Sequence, residues 1–161
     1  MTSLVFVPVD LAQAALLRAE TGLGDLPGCA PTERLTASLE PAAVAEEVEF
    51  VALSHASVLA LSSGSDPLRL VLAADVADRQ VTDRGSELGE VMVAGLRWAQ
   101  VQALFADEPA AESSVARARA DTAELGLAEA LAMEAVTALQ SEFDLLWFAP
   151  DELDQLARGQ R

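Results

Sequence analysis

The sequence predicts an α+β fold, a two-layer sandwich in which helices cover one face of a mostly antiparallel sheet. Short apolar runs such as "RLVLAADV" (Arg69–Val76) are typical of strands, and longer segments repeat apolar residues at helical spacing. Their order is strand, helices, three strands, helices, strand, helix. With the extra strand set aside, this is the split βαβ (ferredoxin-like) order, β-α-β-β-α-β, with additions.

A three-layer α/β sheet is the alternative architecture. The runs "RLVLAADV" and "FDLLWFA" are apolar throughout, as expected of strands that are covered on both faces.

The N-terminal segment is predicted to form a strand and a capped helix. Ser3–Val9 is the first strand, and Asp10 follows as a helix N-cap, with Gln13 three residues later completing a capping box. A loop containing Pro27 and Gly28 comes after this helix.

A long helix is predicted over residues 41–64. Pro41 suits a first helical turn. Valines and His55 recur at steps of three and four, which places them on one face of the helix. The second half is apolar nearly all round, so we expect it to be largely buried.

The middle of the chain is predicted to be rich in strands. After "RLVLAADV" comes a polar loop, "ADRQVTDRGSELGE", followed by strands at Val91–Leu96 and Val101–Phe105. The last of these has a more polar face. The segment "VQALFAD" is therefore the first candidate for an edge strand that could join two copies of the chain.

The C-terminal part is predicted to hold two helices, a strand and a short helix. Pro109 opens the first helix, and a second covers about 127–139. In "SEFDLLWFAPDEL", the aromatic run is predicted to be an inner strand, with Pro150 starting the last helix. An aromatic docking strip is the alternative, and it requires Trp147 or Phe148 to be exposed.

Composition indicates one globular domain spanning residues 1–161. Hydrophobic residues make up 52% of the chain, which argues against disorder. No apolar run reaches the roughly 18 residues of a membrane span, and the N-terminus lacks the basic region of a signal peptide. The lone cysteine, Cys29, cannot form an internal disulfide and fits a reducing cytoplasm.

The net charge of −16 is the strongest bulk signal. Phosphate backbones repel such a surface, so we expect no direct nucleic-acid binding. A basic protein partner would be attracted instead. The chain also lacks Lys, Ile, Asn and Tyr, whose codons are AT-rich, and this indicates a GC-rich genome.

Few residues are suited to catalysis or to metal binding. His55 is the only histidine, and Ser54 and Ser57 point to other faces of its helix. Two Cys or His residues cannot form a structural zinc site, and phosphate-binding glycine motifs are absent. We therefore expect no metal and no cofactor, and enzymatic activity is disfavoured.

Charged residues near strand ends are the candidates for a ligand site. Arginines there could bind a carboxylate or phosphate, and neighbouring carboxylates could pair with them or hold a hard cation. The candidates are Arg69, Asp75, Asp78, Arg79, Asp83 and Arg84.

Four blocks carry a resemblance to a known family: "VFVPVDLAQAALL", "RLVLAADV", "VMVAG" and "DLLWFAPDEL". They resemble a family of uncharacterised single-domain proteins, a domain of unknown function, from high-GC actinobacteria. The blocks extend over nearly the whole chain. The resemblance implies a small cytoplasmic protein and no particular reaction.

Two functions remain open from the sequence. The first is a non-enzymatic domain that acts by binding a basic protein partner, or by self-association into a homo-oligomer. The second is a small-molecule-binding domain or unfamiliar enzyme that uses carboxylates and Arg at strand ends. A pocket of several hundred cubic ångströms would favour the second, and an exposed apolar patch would favour the first.

Overall fold

The strands form a single antiparallel sheet, in the order β4-β5-β2-β1-β3-β6-β7, in a computed structural model that describes residues 1–39, 41 and 43–159. The strands are β1 (Thr2–Pro8), β2 (Leu26–Cys29), β3 (Leu70–Ala77), β4 (Val81–Asp83), β5 (Glu90–Val93), β6 (Val101–Ala106) and β7 (Leu146–Phe148). The helices are α1 (Leu11–Arg18), α2 (Glu33–Ser38), α3 (Ala45–Ser63), α4 (Glu112–Asp121), α5 (Leu127–Leu131), α6 (Glu134–Glu142) and α7 (Leu153–Gly159).

The centre of the sheet contains a split βαβ unit. β1 pairs with β2 on one side and with β3 on the other, antiparallel in both cases. β2 and β3 therefore run in the same direction, and the chain connects them through α2 and α3. This arrangement confirms the predicted α+β class and its antiparallel sheet.

Helices lie on both faces of this sheet, in unequal amounts. Alternate β1 residues belong to two cores: Phe6 packs with α3–α6, whereas Val5 packs with α1 and α7. The main helical layer thus covers one face, as predicted. The two short helices α1 and α7 add a partial layer on the other face.

The start of the chain folds as its local pattern predicts. The Asp10 side chain accepts a hydrogen bond from the backbone N–H of Gln13 at 2.7 Å, and the Gln13 side chain accepts one from the Asp10 N–H at 3.0 Å. This is the predicted capping box.

The segment predicted as a loop around Pro27 and Gly28 is instead β2. Its backbone lies so close to β1 that a Cβ on Gly28 would stand 2.5 Å from the carbonyl oxygen of Phe6. Glycine permits this approach, so the residue that signals a loop in the sequence here makes strand pairing possible.

Two predictions about the edge of the sheet are wrong. "FDLLWFA" is not an inner strand: β7 is three residues long, pairs with β6 alone and ends the sheet. "VQALFAD" is not an edge strand, because β6 lies between β3 and β7. The strand "RLVLAADV" is covered on both faces, as predicted.

The long helix α3 has 19 residues and begins at Ala45, four residues after the predicted start. No described helix, α3 included, combines the length and apolar character needed to cross a membrane.

The carbonyls at the C-terminus of α3 accept hydrogen bonds from Arg119 of α4. Arg119 donates to Ala60 at 3.1 Å, to Leu61 at 2.8 Å and also to Gly64. A second nitrogen of Arg119 donates to the carbonyl of Asp66 at 2.9 Å.

Arg119 therefore satisfies carbonyls that have no partner inside the helix. Its partial burial lowers the pKa of Arg119, and the nearby charge of Asp66 opposes that shift. The guanidinium remains positive, so it also complements the negative end of the α3 dipole.

We expect Arg119→Met to lower the free energy of unfolding by about 1–3 kcal/mol, because several carbonyls lose their donor. Arg117→Met is the matched control, since Arg117 lies on the same helix and is exposed. Urea denaturation of both variants measures the difference. Equal losses would show that charge or helix propensity, and not the cap, is responsible.

Candidate functional site

A buried ion pair connects four segments of the fold beneath the candidate site. Arg69 precedes β3 and Asp107 follows β6, and their side chains are 1% and 0% exposed. Two parallel hydrogen bonds join them, from Nε to Oδ2 at 2.8 Å and from Nη2 to Oδ1 at 2.7 Å. The backbone N–H of Arg69 also donates to Asp107 Oδ2 at 3.0 Å.

The remaining nitrogen contacts of Arg69 reach the helical layer. Nη1 donates to the hydroxyl of Ser57 on α3 at 3.2 Å, and Nη2 donates to the carbonyl of Phe143 at 3.4 Å. Phe143 lies between α6 and β7. The pair therefore positions the chain that enters β7.

A small cleft opens above this pair, and we name it the Arg69 cleft. Its volume is about 80 Å³ and its lining includes Phe50, Ser54, Gln140 and Leu145. Small-molecule sites usually occupy about 300–1,000 Å³, so this cleft is too small for most of them.

The serine hydroxyls in the cleft form hydrogen bonds with neighbouring residues of the fold. Ser57 donates to the carbonyl of Ser54 at 2.6 Å while it accepts from Arg69. His55 turns elsewhere: its Nδ1 lies 2.8 Å from the carbonyl oxygen of Leu88, which can only accept, so Nδ1 carries the proton. Within the described residues, no base is hydrogen-bonded to either serine hydroxyl, and the geometry offers no activated nucleophile.

Apolar side chains lie along the β7 edge, and we name them the β7 surface: Phe50, Leu145 and Trp147 are on the face with the main helical layer, next to the cleft, and Leu146 is on the opposite face. Phe50 is 64% exposed, Trp147 60% and Leu146 42%. Phe50 and Leu145 line the same cleft. Trp147 pairs with Phe105 and so projects from the face that carries the main helical layer.

The backbone of β7 is also open on one side. It pairs with β6 alone, and no other described strand lies beyond it. An edge strand of this kind presents unpaired N–H and C=O groups to a further strand.

The segments that flank β7 along the chain are acidic. Residues 121–157 include nine acidic residues and no Lys, Arg or His. The nine are Asp121, Glu124, Glu129, Glu134, Glu142, Asp144, Asp151, Glu152 and Asp154. Asp144 lines the Arg69 cleft itself.

The structure separates the predicted ligand residues instead of bringing them into one site. Arg69 is buried in its ion pair. Asp78 accepts a hydrogen bond from Ser3 at 2.6 Å, and Asp83 accepts one from the backbone of Gly85 at 2.8 Å. Asp75 and Arg84 are exposed.

Arg79 lines a shallow depression, which it shares with Arg97 and Gly95 and with no other predicted ligand residue. In the part of the chain that the structure describes, no three His, Cys, Asp or Glu side chains are grouped closely enough to hold a metal ion.

Sequence reasoning did not single out Phe50 as a surface residue. Phe50 lies off the face of α3 that carries the valines, and this could have indicated that it is not part of the core. Its position next to the last strand, however, depends on the tertiary fold. For Trp147 the sequence favours the core, because strand aromatics are usually buried, with an aromatic docking strip as the alternative; its exposure of 60% meets the condition of that alternative.

Cys29 is reduced and fully buried in β2, away from these surfaces. Burial, assisted by the negative charge of Glu90, raises the pKa of its thiol to about 12. A thiol with this pKa is a poor nucleophile at neutral pH.

The fold and its surfaces define a single-sheet α+β protein with an uncovered apolar edge. The chain belongs to DUF6912, a family of unknown function, which it matches over residues 4–157. Comparison with characterised proteins gives no significant match, and comparison with solved structures gives none either.

We expect Arg69→Met to lower the free energy of unfolding by about 3–5 kcal/mol, because it leaves the carboxylate of Asp107 buried without its partner. The double variant Arg69→Met/Asp107→Leu should regain a large part of that loss. Urea denaturation of the single and double variants tests this. A double variant that is no more stable than the single one would contradict the account.

Because of Cys29, the free energy of unfolding should decrease as the pH becomes alkaline. Its pKa is raised in the folded state, so between about pH 8.5 and 12 the unfolded thiol ionises while the folded one does not. The slope is at most about 1.4 kcal/mol per pH unit. The chain has no Lys or Tyr to titrate in this range, so urea midpoints of Cys29→Ala should lack the slope. A slope that survives in Cys29→Ala would contradict the assignment.

Proposed function

We propose that this protein acts by binding, and that the β7 surface holds an extended, basic segment of a partner protein. The single observation that carries the proposal is the uncovered apolar edge strand, which acidic segments flank along the chain. Three features of that surface support it, each independent of the others.

The first feature is apolar exposure. Trp147 and Phe50 each leave about two thirds of their surface in solvent, at 60% and 64%. Exposed Trp and Phe side chains next to a cleft are typical anchors of protein interfaces, where a few buried aromatics dominate the binding energy.

The second feature is the edge of the sheet. A partner strand added to β7 would pair with its outward N–H and C=O groups, and alternate partner side chains would contact the two faces. β7 exposes Trp147 on one face and Leu146 on the other, so each face offers an apolar contact.

The third feature is charge. The net charge of −16 repels a second copy of the chain, and the carboxylates of residues 121–157 attract Lys and Arg side chains, apart from Asp154, which is paired with Arg18. Charge complementarity therefore favours a basic partner over self-association.

We also propose that the protein acts in the cytoplasm and that it is encoded in a GC-rich genome. The free thiol of Cys29 suits a reducing compartment. The absence of Lys, Ile, Asn and Tyr, whose codons are AT-rich, supports the GC-rich genome.

A synthetic peptide of defined chemistry tests the proposal directly. The probe is a capped seven-residue peptide of alternating Arg and Val, titrated by calorimetry. We expect saturable binding that weakens with added salt, since the exposed charges are screened. Trp147→Ser should weaken it about tenfold or more, because truncation of an interface aromatic costs roughly 2 kcal/mol.

Three controls make the result specific. Leu16→Ser removes an apolar side chain of similar exposure, 45%, on α1, and should leave the affinity unchanged. A Glu–Val peptide should not bind. N-methylation of alternate peptide residues should abolish binding if the peptide adds as a strand. The proposal fails if Trp147→Ser binds as well as the wild type, or if light scattering shows a dimer that Trp147→Ser dissolves.

A further inference from the structure

A second cleft lies away from the β7 surface, and we name it the α1 cleft. It has a volume of about 460 Å³ and is lined by residues 17–18, 20–24 and 95–99. These are the C-terminal end of α1, the loop that follows it, and the connection from β5 to β6. It shares no lining residue with the Arg69 cleft.

One wall of the α1 cleft is held in place by a pair of glutamines. Gln100 Nε2 donates to Gln80 Oε1 at 2.8 Å, and Gln80 Nε2 donates to the carbonyl of Ala94 at 3.0 Å. The backbone N–H of Arg97 donates to Gln100 Oε1 at 3.0 Å. These bonds fix the connection that carries Arg97 and Trp98, so the wall is formed before any ligand arrives.

The interior of the cleft is mostly apolar. Leu17, Leu23, Leu96 and Trp98 line it, and Trp98 is half-buried against the core beneath. On the facing loop, Gly22 has no atom within 4 Å of the position that a Cβ would occupy. The loop therefore leaves the space open.

Arg97, in the lining of the cleft, is in no ion pair among the described residues. Arg97 lines both the α1 cleft and the neighbouring depression that contains Arg79. Within residues 1–39, 41 and 43–159, the ion pairs are Arg18–Asp154 and Arg69–Asp107, so neither Arg79 nor Arg97 takes part in one. Most described arginines are in no ion pair, so what distinguishes Arg97 is its position in the cleft lining beside Trp98.

The overall negative charge does not prevent an anion from binding here. Exposed charges beyond a Debye length, about 10 Å at 0.1 M salt, are largely screened. The groups that act at the cleft are the nearby ones. The charged residues of the lining are Arg18, Glu20 and Arg97; Arg18 is neutralised by Asp154 at 2.8 Å, which leaves Arg97 and the carboxylate of Glu20.

We infer that the α1 cleft binds a small amphiphilic organic anion, with its ring or chain against Leu23 and Trp98 and its carboxylate, sulfonate or phosphate at Arg97. The volume lies within the range of about 300–1,000 Å³ that is typical of small-molecule sites. A guanidinium fork matches the geometry of such anionic groups.

A matched pair of fluorescent probes tests this inference. One is 8-anilinonaphthalene-1-sulfonate, and the other is N-phenyl-1-naphthylamine, which has the same rings without the sulfonate. We expect saturable, one-site binding of the sulfonate to the native protein. Arg97→Gln should weaken it about tenfold, as loss of a charged hydrogen bond would, and leave the uncharged probe unaffected. Glu20→Gln should tighten the sulfonate alone.

Two further variants locate the bound probe. Gly22→Leu fills the cleft without backbone strain, because Gly22 lies outside the left-handed region, and should weaken both probes at least tenfold. Trp147→Ser should change neither, which separates this site from the β7 surface. Unchanged near-UV circular dichroism and urea midpoints exclude unfolding as the cause.

The inference is overturned if the sulfonate does not saturate at millimolar concentration. It is also overturned if Arg97→Gln affects both probes equally, or if Gly22→Leu leaves both intact. None of these outcomes depends on whether the β7 surface binds a basic segment.

Discussion

The buried pair of Arg69 and Asp107 is the constraint on which the candidate site depends. It joins the start of β3 to the end of β6, and through Ser57 and Phe143 it also reaches α3 and the chain entering β7. A guanidinium in this position needs acceptors for its donors because an unpaired buried charge costs several kcal/mol. The four segments must therefore meet here, and the Arg69 cleft is the space that remains between them.

The two proposed binding surfaces lie beside different cores of the molecule. The face with α3–α6 carries the larger helical layer, and its border with β7 leaves Phe50 and Trp147 in solvent. The other face, with α1 and α7, is only partly covered, and the α1 cleft lies where its loops meet. The proposed partner segment and the inferred anion thus have separate positions, with opposite demands on charge.

Local patterns predicted the parts of this fold that depend on local chemistry. The capping box of α1, the buried half of α3 and the doubly covered strand β3 all follow from neighbouring residues. The strand β2 did not, because Gly28 signals a loop unless one knows that β1 lies against it. An apolar run such as 145–148 likewise does not reveal whether another strand lies beyond it.

The candidate site was harder to predict, for the same reason. Arg69 and Arg79 look alike in the sequence, yet one is buried against Asp107 and the other is free beside Arg97 within the described residues. Which arginine meets which acid depends on the order of strands in the sheet. Because tertiary structure decides such charge pairs, motifs and residue spacing in the sequence cannot predict them.

The order of strands on one side of the sheet repeats their order along the chain. From the centre outward, the strands are β1, β3, β6 and β7. The central pairing of β1 with β2 and β3 uses only residues 2–77. Each later strand on this side extends the sheet by one further position. Among the described residues β7 takes the outermost position, and a strand from another protein would continue this series by one.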